Sequence, residues 1–214
     1  MKLTDVNDIQ SSATVHMRKV FVQQKTAFDA SPYPELKTRR DKLIKLRKQI
    51  IRYQDVIAKA ISQDFDSRSI EESKLLDLLG SVLEAEHAIK HVHRWMRSSK
   101  RHAELLFFSN KLRVEYQPKG VVGVIVPWNF PVYLALGPLV AAIAAGNRVM
   151  IKLSEFTPET NAVLRRMLKE IFEQPTTLAT SMRGRVNIEH NNITLAGFID
   201  NKEKFLNAKR IIIT

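Results

Sequence analysis

A strand–helix–strand–helix pattern across residues 120–172 constrains the fold of this chain more than any other feature. The apolar run VVGVIV predicts a strand that is covered on both faces, and PVYLALGPLVAAIAAG has the length and terminal glycine of a helix. RVMIKL predicts a second strand, after which Thr157 and Pro158 suit the start of a helix over ETNAVLRRMLKEIF. Two strands joined by a crossover helix form the core of a doubly wound parallel sheet.

The residues before this unit predict a helical layer. After a polar leader, residues 15–28 are expected to form a helix. One apolar stripe at helical spacing consists of Leu43, Leu46, Ile50, Tyr53, Ile57 and Ile61, and a second consists of Leu75, Leu79, Val82, Ile89, Val92 and Met96. Alternation over residues 112–116 then predicts a half-exposed strand, with SNK before it as a hairpin turn.

The formal net charge of +12 raises the question of nucleic-acid binding. Residues 37–52 hold eight basic side chains and one acidic side chain, whereas residues 54–86 hold three basic and eight acidic ones. Charge therefore alternates in blocks along helical segments, which favours solvated helix faces. A basic nucleic-acid-binding module is kept as an alternative, although the basic runs lack interleaved aromatic residues.

Composition excludes several classes of site. The chain has no cysteine, so disulfides, thiolate metal sites and a thiol nucleophile are excluded. The apolar stretch 121–145 is interrupted by Pro127, Asn129, Pro131 and Pro138, which argues against a membrane span, and the first residues lack a signal-peptide pattern. We therefore expect a cytoplasmic protein.

Polar residues follow both predicted parallel strands, in VPWNFP and in KLSE. Ligands of such sheets bind at the carboxyl ends of the strands, so Asn129 is predicted at a ligand mouth. Its amide can donate a hydrogen bond to an oxygen that becomes charged during a reaction, or it can simply cap the following helix. Lys152 and Glu155 can likewise bind vicinal hydroxyls, or form a surface ion pair.

Three histidines, His87, His91 and His93, lie close together in the sequence. Two histidines four residues apart on a helix can bind zinc. His93 falls on another face of the helix, and no carboxylate completes the site. The pattern favours solvent-facing histidines, and we expect no metal.

Residues 20–172 resemble the N-terminal part of an aldehyde dehydrogenase, and within that family the coniferyl aldehyde dehydrogenase group. The resemblance rests mainly on YQPKGVVGVIVPWNFPVYLALGPLVAAIAAGNRVMIKLSEFTPET, and it is supported by FVQQKTAF, SPYPELKTRRDKL and AISQDFDSRSIEES. The combination of PWNFP with AAGN and KxSExTP is highly specific. Two positions depart from the family pattern: Asp66 stands where glycine is common, and Leu153 replaces a proline.

The resemblance implies NAD(P)-dependent oxidation of an aldehyde to an acid, with NAD expected and NADP possible as the cofactor. In the mechanism of the family, a cysteine thiolate attacks the aldehyde, a hydride passes to nicotinamide, and a glutamate activates water. The resemblance implies that Asn129 stabilises the oxyanion and that Lys152 and Glu155 bind the hydroxyls of the adenosine ribose. The segment that would lie along the cofactor is Ile125, Val126, Pro127 and Trp128.

The family's GSTxxG, glutamate and cysteine motifs do not occur after Phe172. We therefore expect a truncated copy that is inactive alone, or else a non-catalytic cofactor-binding remnant or partner subunit. The family forms dimers or tetramers, and this chain is expected to lack the oligomerisation elements.

The expected fold class is α/β, with an N-terminal helical layer and part of the Rossmann-like parallel sheet of the aldehyde dehydrogenase fold. The expected regions are a helical region (1–103), a partial NAD(P)-binding α/β unit with a preceding β-hairpin (104–172) and a divergent tail (173–214).

Overall fold

The computed structural model describes residues 3–102, 105, 109–172, 178–179 and 210–213. Its helices are α1 (Leu3–Asp29), α2 (Leu36–Asp64), α3 (Ile70–Ser73), a π-helical turn (Lys74–Leu79), α4 (Gly80–Trp95), α5 (Tyr133–Ala144) and α6 (Pro158–Lys169). Its strands are β1 (Ser99–Arg101), β2 (Leu112–Glu115), β3 (Val121–Ile125), β4 (Arg148–Lys152), β5 (Leu178–Ala179) and β6 (Arg210–Ile213). Most of the region 173–214 lies outside the described residues.

The α/β unit has the predicted parallel arrangement. Strands β3 and β4 pair in parallel, with Val121 opposite Arg148 and Ile125 opposite Lys152, and α5 connects them. Strand β4 also pairs in parallel with β5, which gives the order β3-β4-β5. The α/β fold class predicted from the sequence is confirmed.

A second, antiparallel sheet has the order β1-β2-β6. Strand β2 is the half-exposed strand that the alternation predicts, and of its four residues Val114 is the buried one. It pairs with β1, where Arg101 lies opposite Leu112. The first strand of this hairpin therefore lies at residues 99–101, before the expected region boundary at 104.

The core joins the helical layer to the α/β unit. All six residues of the first predicted stripe are buried along α2, which confirms that stripe. Buried residues of α4, α5, β4 and α6 belong to the same hydrophobic cluster. Burial of apolar side chains thus stabilises the two regions together, because each covers the apolar face of the other.

The second predicted stripe is wrong in its first half. Leu75 and Leu79 are 60% and 45% exposed, whereas Asp77 and Leu78 between them are buried. This segment is the π-helical turn, whose wider turn shifts the phase of the side chains that follow. Helix α4 consequently buries Ser81, Ala85 and Ala88, which the predicted stripe did not include, together with Val92, which it did. The stripe residues Val82, Ile89 and Met96 are only half-buried.

Two further expectations also need correction. Helix α1 begins at Leu3, so the predicted polar leader is part of the helix. The run VVGVIV is not covered on both faces, because Gly123 and Ile125 are exposed. Among the described residues β3 has a strand partner only in β4, so it is an edge strand and its burial is incomplete.

The N-terminus of α6 is held by a carboxylate from a distant part of the chain. Asp64, the last residue of α2, accepts hydrogen bonds from the backbone N–H of Glu159 at 3.0 Å and of Thr160 at 2.8 Å. Thr157 lies at the predicted N-cap position, but its hydroxyl donates to Asn161 Oδ1 at 3.2 Å. Asp64 therefore satisfies N–H groups that the local cap leaves free.

We expect Asp64→Ala to lower the free energy of unfolding by about 1 kcal/mol, the usual cost of losing a helix cap. The measurement is chemical denaturation followed by circular dichroism. Asp41→Ala is the matched control, because Asp41 is exposed on the same helix. Equal effects of the two substitutions would contradict the capping role of Asp64.

Candidate functional site

The two motif loops leave the sheet side by side. The register of β3 with β4 extends into the loop, since the backbone N–H of Val126 donates to the carbonyl of Lys152 at 2.9 Å. Residues 126–131 and 153–157 therefore begin at neighbouring carboxyl ends of parallel strands. This is the edge at which open α/β sheets bind ligands.

Lys152 and Glu155 lie at the end of β4 and contact each other. Lys152 Nζ is 2.5 Å from Glu155 Oε2, and the two side chains are 27% and 39% exposed. The hydrogen bond from Lys152 lowers the pKa of the Glu155 carboxyl below its ordinary value. The ion pair considered from the sequence is thus present, and its partial exposure leaves both groups accessible to a ligand with hydroxyl groups.

The loop that carries Glu155 is held by buried polar side chains. Asn161 Nδ2 donates to the carbonyl of Ser154 at 2.6 Å, and the backbone N–H of Phe156 donates to Ser154 Oγ at 3.3 Å. Ser154 and Asn161 are almost fully buried, as is Leu153, the residue that replaces the family proline. These contacts fix the backbone around Glu155 because buried polar groups without partners are costly.

The four residues predicted along the cofactor divide into two groups. Ile125 and Trp128 are 53% and 54% exposed, and Pro127 is also exposed. The side chain of Val126 is 2% exposed and belongs to the hydrophobic core. Only the backbone of Val126 can therefore face a ligand.

Asn129 lies in the exposed loop between β3 and α5. The sequence left open whether it caps α5, but the carboxylate of Asp77 holds that helix N-terminus. Asp77 Oδ1 accepts hydrogen bonds from the backbone N–H of Val132 at 3.2 Å and of Tyr133 at 3.0 Å. The carbonyl of Asn129 accepts a hydrogen bond from Arg68 Nη1 at 3.0 Å.

Sequence reasoning missed Arg68 and Asp77. Asp77 is fully buried, and its Oδ2 lies 3.5 Å from Arg68 Nη2. Burial raises the pKa of the Asp77 carboxyl, and the hydrogen bonds from the start of α5 and the charge of Arg68 oppose that rise. A single acid within the apolar run KLLDLLGSVL was the available signal, because a buried acid requires partners.

The turn before Arg68 explains one departure from the family pattern. Asp66 has a φ of 53° and Ser67 a φ of 118°. Left-handed backbone favours glycine, and aspartate tolerates it better than most other residues. The left-handed backbone at residue 66 therefore accounts for the family's preference for glycine there, and aspartate can take the same conformation.

The AAGN motif connects the end of α5 to the start of β4, and it contacts the residues that lead into β3. Gly146 has a φ of +85°, and a Cβ atom there would lie 2.6 Å from Cζ of Arg39. Asn147 Oδ1 accepts hydrogen bonds from the backbone N–H of Lys119 at 2.7 Å and of Gly120 at 3.0 Å. These contacts make the motif structural, because they align the two strands that carry the site.

The predicted histidine cluster is a surface feature. The rings of His87 and His91 stack with centroids 4.1 Å apart, and Trp95 lies beside both rings. Among the described residues no group of three or more potential metal ligands is found. In the same part of the chain, none of the helices has both the length and the apolar character needed to cross a bilayer.

Comparison with known proteins identifies relatives of this chain. A model described as "Aldehyde dehydrogenase family" matches residues 3–193. A protein named probable coniferyl aldehyde dehydrogenase from Pseudomonas aeruginosa is 42% identical over 158 residues, which are 74% of this chain and 33% of that protein. The chain thus spans about one third of the length of the curated relatives it matches.

Solved structures show the same likeness. The substrate-bound state of AldH from Staphylococcus aureus is 29% identical with a TM-score of 0.70, over 73% of this chain and 34% of that one. PnpE from Pseudomonas sp. WBC-3, in complex with nicotinamide adenine dinucleotide, is 26% identical with a TM-score of 0.62, over 71% of this chain and 30% of that one.

The raised pKa of Asp77 predicts a pH dependence of stability. The folded chain keeps this proton at pH values where the unfolded chain, with an ordinary carboxyl pKa of 3.8, has released it. The corresponding stabilisation is fully present below the unfolded pKa and is lost as the pH rises through the folded pKa. The difference in free energy of unfolding, wild type minus Asp77→Asn, should therefore fall as the pH rises from the unfolded pKa through the folded pKa of Asp77.

The measurement is urea denaturation of both proteins at a series of pH values. Glu155→Gln is a control of opposite sign, because the pKa of Glu155 is lowered and its contribution is lost as the pH falls. Parallel pH profiles for wild type and Asp77→Asn would contradict a raised pKa at Asp77.

Proposed function

Because this chain belongs to the aldehyde dehydrogenase family, we propose that it carries the oxyanion-stabilising and adenosine-binding part of an NAD(P)-dependent aldehyde dehydrogenase. The observation that supports this proposal is the adjacent position of VPWNFP and KLSE at the carboxyl ends of β3 and β4. Acting alone, the chain does not oxidise aldehydes.

The proposed cofactor is NAD, and the residues at the end of β4 fit its adenosine ribose. Lys152 can donate to a ribose hydroxyl and Glu155 can accept from one, and both are partly exposed. Ile125 and Trp128 add exposed apolar surface at the end of β3. When bound, the cofactor supplies the acceptor for the hydride that leaves the substrate.

The proposed role of Asn129 is to stabilise negative charge on the aldehyde oxygen. A side-chain amide donates a hydrogen bond to that oxygen as it becomes an alkoxide in the transition state. The backbone of Asn129 is held by Arg68, and the start of α5 is held by Asp77, so its side chain need not support the helix. A fixed donor lowers the barrier because it requires no reorganisation during the reaction.

Aldehydes of the coniferyl type are the proposed substrates of a complete enzyme. Three relatives that are 42%, 44% and 40% identical carry the name coniferyl aldehyde dehydrogenase, two of them as probable. The sequence of this chain contains no cysteine, so the thiolate of the family mechanism has to come from outside these 214 residues. No observation favours the alternative of a nucleic-acid-binding module.

We expect the purified chain to produce no NADH from NAD with coniferyl aldehyde or benzaldehyde, because it has no thiol nucleophile. The measurement is the absorbance of NADH over time. The positive control is the Pseudomonas aeruginosa relative, assayed under the same conditions. Steady turnover by this chain, free of host enzymes, would disprove the expectation.

Glu155 should favour NAD over NADP, because a carboxylate repels a 2′-phosphate. The adjacent Lys152 offsets part of this repulsion, so we expect a preference of about tenfold, or about 1.4 kcal/mol. Only the adenosine half is held, so binding should be weak, on the order of millimolar. Glu155→Gln should reduce the preference in an NMR titration.

The matched control for this titration is Glu159→Gln, which removes an exposed acid of α6. It should leave the ratio of the two dissociation constants unchanged. Tighter binding of NADP than of NAD by the wild type, or an unchanged preference in Glu155→Gln, would rule out this role for Glu155.

A further inference from the structure

Arg68 reaches the PWNFP loop from the turn that follows α2. Its Nη1 donates to the carbonyl of Asn129 at 3.0 Å. Its Cζ lies 4.9 Å from the ring centroid of Phe130 and 5.4 Å from that of Phe65. The guanidinium therefore contacts the loop by a hydrogen bond and a cation–π contact at successive residues.

The other side of this guanidinium faces a fully buried carboxylate. Arg68 Nη2 lies 3.5 Å from Asp77 Oδ2, and the Arg68 side chain is 10% exposed. Asp77 Oδ1 accepts from the first N–H groups of α5, at Val132 and Tyr133. A continuous polar connection thus runs from the carbonyl of Asn129 through Arg68 and Asp77 to the start of the next helix.

We propose that Arg68 is a positioning residue that fixes the backbone of Asn129, and so sets the direction of the Asn129 amide. The proposal rests on the proposed function, because the direction of this amide matters only if it stabilises the oxyanion. Asp77 alone can hold the start of α5, but Arg68 contacts the backbone of Asn129 and the ring of Phe130 directly. Loop position and helix capping are therefore separate tasks of the two residues.

The arrangement requires arginine rather than any positive charge. A planar guanidinium can donate to a carbonyl and face a carboxylate at the same time, while its face lies against a ring. A lysine ammonium on a flexible stem retains the charge beside Asp77 but lacks the fork. Arg68→Lys consequently separates the effect of charge from the effect of geometry.

Trp128 precedes Asn129 and provides a local signal, since its ring lies 6.1 Å from that of Phe65. The chain has two tryptophans, so Trp95→Phe leaves Trp128 as the single fluorophore. In this background we expect Arg68→Ala to raise the acrylamide quenching constant of Trp128 about twofold, because its exposure can rise from 54% towards full exposure. Selective 15N-asparagine labelling should show displaced backbone and side-chain signals of Asn129.

Arg68→Lys should reproduce both changes while its free energy of unfolding stays closer to that of wild type. The matched control is Arg47→Ala, which breaks an ion pair with Glu86 away from the loop and should change neither signal. If Arg68→Ala does not fold, Arg68→Lys decides the question.

Wild-type quenching and wild-type Asn129 signals in folded Arg68 variants would overturn the proposal, as would equal changes in Arg47→Ala. Both readouts report loop position and not chemistry, so failure of the oxyanion role of Asn129 would not alter them. Asn129→Ala separates the positioning role of Arg68 from the oxyanion role of Asn129 further. It keeps the backbone carbonyl that Arg68 binds, and should leave Trp128 quenching unchanged.

Discussion

The parallel pairing of β3 with β4 determines where the chemistry of this chain can occur. The pairing runs from Val121 opposite Arg148 to Ile125 opposite Lys152 and continues into the loop through Val126. Two motifs that are separated by a whole helix in the sequence therefore end at the same edge of the sheet. A shift of this register by one residue would turn the side chains of β4 to the opposite face and separate the motifs.

The helical layer supplies charges to the ends of the helices that flank the site. Asp64 binds the N-terminus of α6, and Asp77 binds the N-terminus of α5. Arg39 donates to the carbonyl of Ala144 at 3.1 Å, at the C-terminus of α5. Each charge has the sign that the helix dipole favours. The layer thus supports the site electrostatically as well as by burying apolar surface.

Sequence reasoning succeeded where a periodic pattern or a motif defines an element. The stripe of α2, the parallel strands and the start of α6 follow from patterns of this kind. It failed at the π-helical turn, where Leu75 becomes exposed because the helical period changes. It also missed Arg68 and Asp77, since their partners lie some 60 residues away and partner choice across that distance depends on tertiary packing.

The remote caps of α5 and α6 have a consequence for how this region can diverge. The carboxylates of Asp64 and Asp77 bind backbone N–H groups, which every residue except proline presents. Such an attachment recognises the place where a helix begins and is indifferent to the side chains of its first turn. The exposed faces of both helices are consequently free to accumulate substitutions, whereas an insertion or deletion that moved a helix start would remove its cap.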